Sequence, residues 1–143
     1  MKDLELEAKL RLLNIQLDNW KKLHNLMTYG LDKSKPIISS EQERQFTEIR
    51  AYLLQETEHI LRTLNLVAEL SGKVMNVLQR ASSLRGVRDL TMDEVRRMEM
   101  EWNTVFTKLG VVRGQLKTRR KELAGQTTLG HYLSQLFNRP ARA

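Results

Sequence analysis

The sequence predicts an all-α protein: an antiparallel up-down-up three-helix bundle with a long central helix and a short C-terminal fourth helix. Three observations carry this. Apolar residues recur at spacings of three and four over long stretches; breakers are scarce, with two prolines and seven glycines in 143 residues; and a Ser/Thr-x-x-Glu capping box stands ahead of each of two periodic runs. Hydrophobic residues at 41% and charged residues at 29% place the chain among globular proteins, long enough for one real core. The expected domain is 1–138, with 139–143 as a frayed tail.

The first helix is expected over about 3–30. Its seam runs Leu6, Leu10, Leu13, Leu17, Trp20, His24, Met27 and Leu31, with Leu12, Ile15, Leu23 and Leu26 widening it beyond a strict heptad stripe. Gly30 reads as its stop, and Asp32-Lys33-Ser34-Lys35-Pro36 as the turn that follows. Ser40 and Glu43 form the first capping box, opening a second helix over about 40–83. Its seam is Phe46, Ile49, Leu53, Thr57, Ile60, Leu64, Val67, Ser71, Val74, Leu78 and Ala81, with Ser71-Gly72 as the expected kink. A continuous rod of that span would be roughly 65 Å long.

Between Leu61 and Leu78 this second helix is apolar round most of its circumference. Leu61, Leu66, Leu70, Met75 and Val77 add to the seam, and polar residues retreat to one narrow stripe. A helix with so little polar face needs more than one neighbour. Those five residues are therefore the candidate protein interface, with a second copy or a helical partner as the expected cover. Ser82 to Gly86 reads as a break and loop. Thr91 and Glu94 form the second capping box, opening a third helix over about 92–124 with the seam Val95, Met98, Trp102, Val105, Leu109, Val112, Leu116, Arg119 and Leu123. Gly125 is its expected end, and Leu129, Tyr132, Leu133, Leu136 and Phe137 suggest a short amphipathic helix over 128–137.

Composition removes several functional classes. There is no cysteine, so disulfides, thiolate nucleophiles and cysteine metal sites are out. No apolar run approaches 18 residues and the start is charged and periodic, so neither a membrane span nor a cleaved leader is expected; cytoplasm is the expected compartment. Glu56-x-x-His59 has the spacing used in di-iron bundles, but it occurs once where two copies and two further glutamates are needed. His24 sits on the apolar seam and reads as a packed histidine, while His131 has no acid near it. No serine lies in a Gly-x-Ser-x-Gly context. Gly110-x-x-x-Gly114 lies in an arginine-bearing helix, where close helix approach or a joint is the reading. The expectation is a protein that is not an enzyme and has no metal and no cofactor.

Charge supplies the other clue. Residues 1–107 hold 16 bases against 16 acids, whereas 108–143 hold eight bases and one acid, Glu122. Arg113, Lys117, Arg119, Arg120 and Lys121 are the candidate contacts to an anion or nucleic acid, although cations also suit the negative end of a helix. The expected function is a helical protein-interaction module that self-associates, as a dimer, through the second helix. The alternative is a nucleic-acid-binding accessory protein that uses the basic segment.

Overall fold

The computed structural model describes residues 3–34 and 37–137, the side chains of 126–132 and 134–137 excepted. The expected tail at 139–143 lies outside the described residues. Among these the secondary structure is all helical, in five helices: α1 (Leu4–Leu31), α2 (Ser40–Thr63), α3 (Val67–Arg80), α4 (Leu84–Arg88) and α5 (Met92–Phe137). Neighbours form a closed ring, with α1 packed on α2, α2 on α3, α3 on α5 and α5 on α1. Side-chain pairs fix the directions. Ser71 meets Glu58 while Arg50 meets the Leu78 carbonyl, Glu69 meets Lys108 while Arg80 meets Glu101, and His24 meets Glu99 while Glu7 meets Arg120, so α2/α3, α3/α5 and α5/α1 are each antiparallel, and α1/α2 is antiparallel in consequence. The bundle is thus four helices running up, down, up and down rather than three.

The fourth wall comes from a break that the periodicity does not reveal. The expected single helix over 40–83 stops at Thr63 and restarts at Val67. Asn65 has φ 58°, the left-handed conformation in which asparagine is the commonest substitute for glycine. The Asn65 N–H donates to the Arg62 carbonyl and the Leu66 N–H to that of Leu61, which is the paired bonding of a Schellman stop. The chain does not break at Ser71-Gly72: α3 continues through both residues, and Gly72 faces open space.

Other boundaries move for equally local reasons. The box that opens α2 is Ser39 with Gln42 rather than Ser40 with Glu43. Glu43 is used elsewhere and accepts the Arg85 N–H, which helps to start α4 where a loop was expected. Arg44 bridges Glu41 and Glu48, and its hydrogen bond holds the Glu41 carboxyl below the ordinary carboxylate value. Gly30 does not end α1, which runs to Leu31; Gly30 lies buried under Leu84, and Arg88 donates to its carbonyl, so α4 closes this end of the ring. The Thr91–Glu94 box forms as expected.

The core is one cluster contributed by all five helices, including Leu13, Trp20, Met27, Phe46, Leu53, Leu70, Leu78, Leu84, Met98 and Leu109. Within it lies one polar pair, Gln16 donating to the Thr57 hydroxyl, both buried. Replacing Thr57 by valine removes the acceptor and leaves a buried amide unpaired, so urea unfolding should show a loss of about 1–3 kcal/mol. Replacing both residues by Leu and Val should recover most of that loss, because the orphaned group is then gone.

Candidate interaction surface

The five residues of the expected helix-2 interface do not form a free surface. Leu61, Leu66, Leu70 and Val77 are buried in the chain's own core, and Met75 alone is exposed, at 39%. The reason is the break at Asn65. Leu61 points inward from α2, while Leu70 and Val77 point inward from α3, so one apparently all-round apolar helix is two helices facing the same core. That correction removes the surface on which self-association through helix 2 rested.

A different place lacks cover. The α2–α3 turn lies near the level of Leu10, judged from the Gln16–Thr57 pair one and a half turns away, and near the level of Val111 on α5, judged from Lys108–Glu69. Among the described residues only α1 and α5 continue past that level. Arg113 meets Asn14, Arg120 meets Glu7 at 3.6 Å, and Asp3 shares a cleft with Ala124. The ring of four becomes a pair of two. Leu6 and Leu10 remain buried between the pair, but Val112, Leu116 and Leu123 are only half-covered, and Leu4 and Val111 are exposed. Two shallow clefts of about 280–290 Å³ flank Leu6, one reaching Arg120 and Lys121 and the other Arg119 and Glu5.

α5 then goes on alone. The expected stop at Gly125 and the separate helix at 128–137 are replaced by one 46-residue helix ending at Phe137. Among the described residues nothing lies within 4 Å of where a Cβ at Gly125 would stand, and Gly125 adopts no left-handed backbone, so the hydrogen-bond ladder carries through it. Residues 125–137 reach about 20 Å beyond the start of α1. Of the apolar residues expected on the short helix, Leu133 is 42% exposed; the side chains of Leu129, Tyr132, Leu136 and Phe137 lie outside the described residues.

The structure divides the basic candidates. Arg113 and Arg120 turn towards α1, onto Asn14 and Glu7. Arg119 lies on the opposite flank of α5 beside Asp3, Glu5 and Lys9. Lys117 and Lys121 are exposed and one turn apart, and Lys121 also lines the cleft that holds Arg120. The five cations are therefore split between the two flanks of α5, Arg119 on one and the other four on the other, with Arg113 and Arg120 engaged by Asn14 and Glu7. This end of the bundle mixes the acids of the first turn of α1 with the bases of α5.

Other candidates have structural partners. His24 stacks on Trp102 with centroids 4.0 Å apart and shares a 2.9 Å hydrogen bond with Glu99, which pins α1 to α5. Glu56 is half-buried and His59 exposed on α2, and among the described residues no three His, Asp or Glu side chains gather at metal-binding distance. Among the described residues no helix is long and apolar enough to cross a membrane. Compared with protein-family models, curated proteins and solved structures, the chain matches none of them.

The periodicity missed Leu4 and Val111 at the two-helix end, and although it placed Val112, Leu116 and Leu123 on the seam of the third helix it did not show that they stand only half-covered there. They carry no motif. A signal was present in the unequal helix lengths, which guarantee that some stretch outruns its neighbours; placing the break at Asn65 shifts that stretch from helix 2 to α1 and α5.

Proposed function

We propose that this chain is a non-enzymatic helical interaction module, an adaptor or assembly subunit, that docks partners through the α1/α5 end of its bundle. The observation that supports the reading is the fall from four helices to two at Asn65, with Val112, Leu116 and Leu123 half-covered beyond it. A four-helix layer missing two members is a groove of helical width, suited to recognition by an added amphipathic helix. The rim is charged on both sides of that groove, which fits a protein partner with both signs of charge better than a polyanion.

The test is site-specific photo-crosslinking in the native cell, with the photoreactive residue at Leu116, at Leu123 or, as control, at Glu48 on the outer face of α2. A discrete adduct from 116 and 123 and none from 48 is expected. Adducts from no position, or equally from all three, would contradict the reading. The nucleic-acid alternative makes the opposite forecast. It requires binding to mixed RNA or DNA that falls steeply with salt and is lost when Lys117 and Lys121 are reversed to glutamate. With Arg113 and Arg120 engaged on α1 and the acids of the first turn of α1 alongside the basic stretch, no such binding is expected at physiological salt.

A further inference from the structure

We propose that α5 beyond Leu109 is a gate: this arm unwinds as one unit, together with the first turns of α1, while the four-helix ring stays folded. Three observations carry this. The first is burial. Up to Leu109 every turn of α5 buries a residue, Met98, Trp102, Val105 and Leu109 in succession, and among the described residues none beyond it is buried. Helices in proteins owe most of their stability to such packing, and a stretch that lacks it is marginal in water.

The second is where the glycines fall. Four of the chain's seven, Gly110, Gly114, Gly125 and Gly130, lie in this arm, the first of them directly after Leu109. Among the described residues nothing lies within 4 Å of where a Cβ at Gly110, Gly114 or Gly125 would stand, and none of the three has a positive φ. Close helix approach therefore does not explain Gly110-x-x-x-Gly114, and backbone geometry does not call for glycine there. What these glycines do is weaken the helix, each by about four- to fivefold in the equilibrium that holds it. The third is what the arm covers. Leu6 and Leu10 are buried yet stand outside the connected core, and Leu6 lies in the clefts formed with Leu116, Arg119, Arg120 and Leu123. The polar contacts across this end, Arg113 to Asn14 at 3.4 Å and Arg120 to Glu7 at 3.6 Å, are long and largely exposed and add little to closure. Covering Leu6 holds the arm shut against its glycines. The closed arm presents Val112, Leu116 and Leu123, and the open one uncovers Leu6, so a partner that prefers either state shifts the balance between them.

Amide hydrogen exchange on the dilute full chain, with no partner added, tests this, and circular dichroism shows that each variant is folded. Amides from Val112 to Ala124 are expected to share one opening constant with those from Ala8 to Leu10, roughly 100-fold or more above that of Met98 to Leu109. Replacing both Gly110 and Gly114 by alanine should slow exchange across the arm and across Ala8 to Leu10 by roughly 20-fold. Gly72→Ala is the control, because Gly72 is equally open to space but lies in α3, inside the ring. It should slow the ring amides about four- to fivefold and leave the arm unchanged, since α3 stays helical while the arm is open. Arm amides that open only with the ring, that ignore the alanines at 110 and 114, or that slow for Gly72→Ala as the ring does would overturn the gate. So would exchange at Ala8 to Leu10 that does not follow the arm. The docking reading is decided separately, by the crosslinks from 116 and 123.

Discussion

Trp102→Ala is expected to destabilise the fold by about 3–5 kcal/mol, the range for truncating a large buried aromatic. Trp102 is only 8% exposed and joins three features of the α1/α5 contact. Its indole N–H donates to the Trp20 carbonyl at 3.1 Å, and its ring lies between His24 and Phe106, with centroids at 4.0 and 4.8 Å. Truncation leaves a cavity between the two helices that carry the docking end and frees His24 from its stacking partner. Trp102→Phe keeps an aromatic ring but loses the hydrogen bond and part of the volume, so it should cost less, about 1–2 kcal/mol. Urea titration followed by circular dichroism reads both. A loss under about 1 kcal/mol for the alanine variant would mean that the α1/α5 seam is not a principal contact.

The second large effect separates a core reading of helix 2 from an interface reading. Leu70→Glu places an unpaired carboxylate in the centre of the cluster and should cost more than about 4 kcal/mol, enough to unfold many domains. Met75→Glu, five residues along α3 and exposed, should change stability by no more than about 0.5 kcal/mol. If both residues lined a surface between chains, the two variants would fold alike and differ only in association. Measuring the unfolding midpoint at two protein concentrations distinguishes the cases, because a loss confined to an interface depends on concentration and a core loss does not.

These pairs show what the sequence could and could not reveal. The helical class, the seams of α1 and α5 and the Thr91–Glu94 box were all legible, because a 3.6-residue period and a cap are local properties. The fourth wall was not. Residues 61–78 are apolar on nearly every side in projection, and such a pattern fits one helix buried by several neighbours as well as two helices folded onto each other. Asn65 was the available signal: an asparagine followed by an apolar residue suits a left-handed stop. It instead fell on the narrow polar stripe and read as part of it. Gly125 was the converse case, a glycine that fits a stop but adopts helical geometry.

The candidate surface was legible only as a need for cover somewhere. Unequal helix lengths force an unpaired stretch, but its position depends on where each helix turns, and one misplaced turn moved it from helix 2 to the far end of α5. The surplus positive charge was located correctly within the last quarter of the chain. Its division between Glu7, Asn14 and solvent depends on the facing helix, and no reading of α5 alone supplies that.

Amide hydrogen exchange across α5, followed at rising protein concentration, tests the central claim most directly. The docked end predicts two behaviours in one helix. Amides from Met98 to Leu109, enclosed by the ring, should exchange slowly at every concentration, and those from Val112 to Phe137 should become protected only when the end is occupied, by a second copy as the concentration climbs or by an added partner. Exchange beyond Val112 that stays fast and indifferent to concentration, with or without a binding partner present, would contradict the assignment of this end as the place where the protein works.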